Sequence, residues 1–432
     1  MILLIAGCPA AIKLGLTLVS VVLLMRLKVP LGVALLVGSV FLALMFPMAP
    51  VDFFAAGLAG IISDECILLL IIVVGILVFS GALNAVGQID RIINAFKAMV
   101  GESRLSLVAF PALIGLLPMP GGAIFSAPMV GAAAKNANVP PEKLTAANYW
   151  YRHIWEYWFP FYPGVIMALT LTEVATWKFA LMQLPLTILA VISGYMVILH
   201  GISLGGERHR DYSLKNIFAF LRELIPILIV VGAVLLLDPL AEFMTERFQI
   251  ENMVLRRAPI VFGLLLGTIW LFTHRDLTWT TLGQLAKKKN VLEMCFLAIG
   301  VMVFKSVLDD CGAVTFLRDE FEAWNVPLVV VVSALPMISG LVLGIAIGFV
   351  GASFPLVIAL LEELPTSERL PYYCLAFTSG FAGMMMSPVH FCLVLTNEYF
   401  KSSLMKVYKY LIPLGLITAA AGLALFFLYT RV

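Results

Sequence analysis

The chain has 432 residues, of which 62% are hydrophobic and only 12% charged, with a net charge of +2 and a mean hydropathy of +1.03. Soluble domains carry about a quarter charged residues, so this balance excludes a water-soluble enzyme, and the scattered basic residues exclude a nucleic-acid-binding patch. A helix needs about 20 apolar residues to cross roughly 30 Å of hydrocarbon, and runs of that kind recur along the chain.

In chain order they fall at 10–25, 29–47, 64–87, 145–171, 177–200, 217–237, 257–273, 290–311, 370–397 and 405–430, which predicts ten spans. Two further apolar regions, 104–136 and 326–361, are interrupted. The first break reads Pro118, Met119, Pro120, Gly121, Gly122, and the second carries Gly340, Gly344, Gly348 and Gly351 ahead of Ser353 and Pro355. Non-helical backbone at membrane depth survives only where protein covers it or water reaches it. Each region therefore reads as a re-entrant hairpin whose tip lines a cavity.

Gly75, Val78, Phe79, Leu83, Asn84 and Gly87 recur as Gly300, Val303, Phe304, Leu308, Asp309 and Gly312 at an offset of 225. Gly121, Ser126, Pro128 and Val130 match Gly348, Ser353, Pro355 and Val357 at an offset of 227. Helix and hairpin recur in the same order, which predicts an internal repeat. Each copy would hold five crossings and one hairpin, and an odd number of crossings inverts one copy relative to the other. The expected fold is all-α: a polytopic membrane protein of about ten transmembrane helices plus two re-entrant hairpins, with inverted repeats at 1–205 and 206–432.

Lysine and arginine divide eighteen to seven between the two sides of this arrangement. The positive-inside bias makes the first side cytoplasmic, puts both termini outside, and lets hairpin 104–136 enter from the cytoplasm and hairpin 326–361 from outside.

Charges inside spans cost about 2.5 to 3.5 kcal/mol each on insertion scales, so those present need a partner or a task. The densest group lies in the fourth expected span, where Arg152, His153 and Glu156 sit among nine aromatic residues between Tyr149 and Tyr162. Arg152 and Glu156 are spaced to pair on one helical face. Pro160 and Pro163 cannot complete helical hydrogen bonds, so the helix should break beyond them and leave free carbonyls near the midplane. The alternative is an interfacial aromatic belt in which Arg152 and His153 reach out to headgroups.

Lys305 and Asp309 form a second such pair, with Ser80 and Asn84 at the repeat-matched positions; a neutralised structural pair is the alternative. His390 follows Ser387 and Pro388 at the counterpart break in the ninth span, where a lone histidine can equally be a packing residue. The six cysteines, Cys8, Cys66, Cys295, Cys311, Cys374 and Cys392, show no CxxC spacing, and the histidines show no zinc motif. Neither disulfides, a metal nor another cofactor is expected.

The stretch Asn148–Gly164 and the tip Met119–Pro128 make the chain similar to a family of prokaryotic integral membrane proteins carrying a domain-of-unknown-function label. That family is grouped with the ion-transporter superfamily, which includes gluconate and citrate permeases, divalent-anion/sodium symporters and the membrane subunits of tripartite periplasmic transporters. The resemblance covers nearly the whole chain. It implies secondary transport of small organic anions by elevator-like motion of hairpins and broken helices, in the cytoplasmic (inner) membrane. Sodium/carboxylate members carry Ser-Asn-Thr at both tips; here the tips offer only Ser126 and Ser353 with glycines.

The sequence reading is a proton-coupled secondary transporter, a symporter rather than an enzyme, for a small anionic solute. Gly121, Gly122, Ser126, Arg152, Gly348, Gly351, Ser353 and His390 would bind the solute, and His153 with Glu156 would exchange the proton. Ser80, Asn84, Lys305 and Asp309 would support the site. A homodimer in contact with membrane lipids is the expected assembly. The alternatives are an intramembrane enzyme using His153 and Glu156 on a lipid-linked substrate, a sodium-coupled carboxylate symporter, and an accessory membrane subunit.

Overall fold

A computed structural model describes residues 8–100, 104–116, 122–135, 138–202, 213–248 and 253–431, and these are helical throughout, without strands. The first tip, including Met119 and Gly121, lies outside the described residues. Among the described residues, six helices are long and apolar enough to cross a membrane. The protein is a polytopic helical membrane protein.

The chain opens with α1 (Ala10–Arg26), α2 (Leu31–Met45), α3 (Pro50–Ile62) and α4 (Asp64–Ala85). Prolines stand just before α1 and α2 and at the first position of α3, where a missing N–H costs nothing and the fixed φ favours a helix start. At the head of α4 the Ser63 hydroxyl accepts a bond from Cys66 N at 3.2 Å, and Asp64 and Glu65 face the positive end of the helix dipole. Next come an amphipathic helix, α5 (Gln88–Val100), and the hairpin arms α6 (Arg104–Gly115) and α7 (Ala123–Ala133).

The fourth expected span is two helices, α8 (Pro141–Arg152) and α9 (Pro163–Thr172). The helix stops at Arg152, two turns before Pro160, where an unbroken helix through Glu156 is expected. Tertiary bonds account for the difference. Indole N–H groups of the intervening run donate sideways, Trp155 to Ala112 O at 2.8 Å and Trp158 to Thr187 Oγ1 at 3.0 Å, which offsets the lost helical bonds. α10 (Thr176–Gly194) follows and ends in a π-helical turn, Tyr195–Leu199.

The second part runs α11 (Leu214–Phe248), α12 (Met253–His274), α13 (Trp279–Ala286), α14 (Lys289–Asp310) and amphipathic α15 (Ala313–Ala323). Hairpin arms α16 (Leu328–Leu343) and α17 (Ala346–Leu360) turn at Gly344, whose φ of +64° suits glycine. The ninth expected span is again two helices, α18 (Thr366–Met385) and α19 (Phe391–Phe400), and α20 (Leu404–Tyr429) closes the chain.

Elements recur at the sequence offset. α4 and α14 are both 22 residues long, and Gly87 and Gly312 follow them with the same φ of +68°. α9 and α19 are both 10 residues long and end on left-handed Glu173 and Lys401. Packing repeats with them: α9 lies on α17, and α19 lies on α7. Each broken helix of one half thus rests on the hairpin of the other half.

Candidate functional site

Two helix breaks and both arms of the first hairpin meet around Arg152. Its Nη1 donates to Cys392 Sγ at 3.4 Å, and the side chain is 3% exposed. A methyl group on Gly122 would strike the guanidinium, and one on Gly115 would strike Arg152 O. Only glycine lets both arms of the hairpin approach this closely. Asn148 ties the same junction together, its Nδ2 donating to Ala123 O at 3.3 Å and to Thr396 Oγ1 at 3.0 Å. The Tyr162 hydroxyl donates to Gly115 O. Ser126 is buried and bonds back to Gly122 O and Ala123 O, both at 3.4 Å.

On the other side of Arg152 lie His153, Glu156 and His390, all buried. His153 Nε2 is 3.7 Å from Glu156 Oε1, and Arg152 is the carboxylate's cationic neighbour. The His153 and His390 rings stand edge to face at 4.8 Å, and Tyr149 packs against each at 4.9 and 5.0 Å. His153 Nδ1 lies 2.6 Å from Tyr149 O and His390 Nδ1 lies 3.4 Å from Met384 O. A carbonyl oxygen only accepts, so a hydrogen bond at either position requires the proton on Nδ1 and, in the neutral ring, leaves the lone pair on Nε2. His153, His390 and Cys392 offer donor atoms within 4.8 Å of one another, a set that could hold a metal ion.

The aromatic run is interior rather than an interfacial belt. Tyr149, Trp150, Tyr151, Tyr157, Phe159, Phe161 and Tyr162 are buried, and Trp150 Nε1 donates to Ala190 O at 2.8 Å. Burial of these rings, with the polar atoms of Tyr149, Trp150, Tyr157 and Tyr162 bonded, holds the break in one conformation.

Thus Gly122, Ser126, Arg152, His153, Glu156 and His390 lie around one junction. Gly348, Gly351 and Ser353 lie elsewhere. Gly348 N bonds to Ile345 O at 3.1 Å, a methyl on Gly351 would press on Val301 at 2.6 Å, and Ser353 bonds back to Phe349 O at 2.6 Å. The second tip instead approaches the break through Gly344, where a methyl group would lie 2.9 Å from Ser387 Oγ and 3.0 Å from His390 N. Lys305 and Asp309, 3.8 Å apart, line a separate cavity of about 1160 Å³ with Glu173, Lys178, Arg256 and Arg369 at the far ends of α9 and α17. Asn84 is exposed in the last turn of α4, and Ser80 is buried within that helix.

Sequence reasoning missed Cys392, Asn148, Thr396 and Gly115. Only the close spacing of Cys392 to His390 could have pointed to one of them.

Two interrupted helices packed on two hairpins, with buried ionisable groups at their junction, define a polytopic helical membrane protein with a polar interior site. The chain belongs to the family described as protein of unknown function (DUF401), whose model matches residues 10–428. Among solved structures the chain is similar to the YdaH transporter of Alcanivorax borkumensis, whose crystal structure is described as revealing an unusual topology. The TM-score is 0.57 at 12% identity over 87% of each chain, a likeness of fold. No curated protein matches.

Proposed function

We propose that the chain is a secondary active transporter of a small anionic organic solute, coupled to protons. The observation that carries this reading is the buried Arg152 guanidinium at the junction of a hairpin with both helix breaks. A fixed positive charge in a low-dielectric junction attracts a carboxylate far more strongly than one in water. Glu156 and His153, in contact beside it, exchange the coupling proton. Arg152 and the Gly122 turn face the solute, and the hairpins with the broken helices move against the remaining helices in an elevator-like step. The swapped packing of α9 on α17 and α19 on α7 supports two inverted copies, 1–205 and 206–432, because such repeats put the site on their shared axis. The chain resides in the prokaryotic inner membrane with both termini outside, as a homodimer.

The test is uptake into proteoliposomes holding the purified protein, after a thermal-shift screen against organic acids, amino acids and inorganic anions. An organic anion that both stabilises the protein and accumulates under an imposed proton gradient supports the reading. Stabilisation by none of the anions, with no gradient-driven accumulation, overturns it. Orientation is checked in a cysteine-free background: an impermeant reagent added outside cells should label Ser367→Cys and spare Lys406→Cys.

A further inference from the structure

We propose that His153, His390 and Cys392 form a binding site for a zinc-class transition-metal ion that pins the two helix breaks to each other. The site goes beyond the transport reading but shares His153 and Glu156 with it, so proton exchange would belong to the metal-free state, and the binding test does not depend on transport.

The donor set is two neutral imidazoles and one sulfur, which selects borderline and soft metals over magnesium or calcium. Each imidazole has its Nδ1 proton committed to a main-chain carbonyl, Tyr149 O for His153 and Met384 O for His390. In the neutral rings that arrangement leaves Nε2 as the atom free to bind an ion, the outer-shell pattern of metal-bound histidine. Arg152 Nη1, at 3.4 Å from Cys392 Sγ, stabilises the thiolate that a metal requires. Glu156 Oε1 lies 3.7 Å from His153 Nε2 but outside the three-residue set, so it would act as a nearby negative charge. The thiolate and carboxylate would offset the two charges of the ion, so that burial does not leave it uncompensated.

The geometry is close to closing. The three donor atoms lie within 4.8 Å of one another. Bonds of about 2.0 to 2.3 Å in a tetrahedron separate the ligands by roughly 3.3 to 3.8 Å, so rotations that move each donor by about 1 Å suffice. The ligands come from both breaks, His153 directly after α8 and His390 and Cys392 at the start of α19. An ion held there would hold the two breaks together.

The experiment uses the full-length protein in detergent, stripped with a chelator and titrated with Co²⁺ as the optical probe and Zn²⁺ as competitor. Binding of one Co²⁺ per chain, with tetrahedral ligand-field absorption and a thiolate-to-cobalt charge-transfer band that Zn²⁺ abolishes, is expected. Cys392→Ser should remove the charge-transfer band, and His390→Gln should weaken binding at least about tenfold, both in protein that remains monodisperse. Saturable binding that neither variant alters, or no saturable binding by the wild type, would overturn the site and leave His153 and His390 as packed rings. A failure of solute uptake leaves these optical readouts unchanged, so the metal site and the transport reading fail separately.

Discussion

At the first helix break three ionisable side chains, Arg152, His153 and Glu156, lie within one run of turns, whereas the second break contributes His390 and Cys392 and no formal charge. The hairpins differ likewise. The first reaches the junction through Gly122 against a guanidinium, and the second through Gly344 against backbone and a serine hydroxyl. The backbone plan is shared, yet the chemistry is concentrated in the first half. Two breaks of like backbone geometry can therefore carry different chemistry, the first supplying charge and the second neutral donor side chains.

The largest effect should come from removing that charge. Arg152→Gln takes away a buried guanidinium that would bind the solute's anionic group, a loss of about 2 to 5 kcal/mol for a desolvated charge pair, or at least about thirtyfold in affinity. Thermal-shift titration with the stabilising anion reads it directly. His390→Gln, at the break without formal charge, should reduce solute affinity much less, and equal losses in the two variants would break the contrast between them.

The tips provide the next comparison. Gly344→Ala forces a side chain into the left-handed region, which costs about 1 to 2 kcal/mol, and adds a 3.0 Å contact with His390 N. Its expected outcome is lowered thermal stability. Gly122→Ala meets instead the movable end of Arg152, so it should impair solute binding with a smaller stability change. A Gly122→Ala protein less stable than Gly344→Ala would reverse the assignment of charge to one tip and shape to the other.

Coupling tests the same asymmetry more finely. Glu156→Gln mimics the protonated carboxyl, so solute exchange should persist while proton-driven accumulation is lost. If Glu156 only neutralises its cationic neighbour, removing its charge should destabilise the protein by about 3 to 5 kcal/mol instead. Thermal stability, counterflow and proton-driven uptake on one preparation separate these outcomes, and wild-type accumulation would remove Glu156 from coupling altogether.

Long apolar helices such as α4, α14 and α20 were legible in the sequence because hydropathy is a local property. So were the two interrupted spans, because proline and the Ser387–Pro388 pair mark where helical bonding fails. The position of the first break was not, since it depends on where Trp155 and Trp158 find acceptors on other helices. The helices α3, α5 and α15 went unannounced because each is too short or too polar to register as a span. Cys392 meets Arg152 across 240 residues of sequence, a separation that no spacing rule bridges. Gly351 shows the opposite error, because a glycine that admits a neighbouring helix and one that admits a ligand read alike in a sequence.

The smallest expected effect concerns Lys305 and Asp309, which the sequence pattern sets beside the solute and the fold sets in the charged cavity at the ends of α9 and α17. Their side chains are 28% and 44% exposed and 3.8 Å apart. An ion pair so open to water gains little Coulomb energy, is screened by salt, and gives up side-chain freedom to hold its geometry, so such pairs contribute about 0.2 to 1 kcal/mol. A double-mutant cycle with Lys305→Gln and Asp309→Asn should return a coupling inside that range, falling as salt rises, with solute affinity nearly unchanged. The physical reason is exposure, because Arg152 does not line that cavity and a charge change at side chains open to solvent is damped within a Debye length of about 8 to 10 Å. A coupling above about 2 kcal/mol that salt does not weaken would mean that the pair works in a dry environment, and the cavity would then have to close over it during the transport cycle.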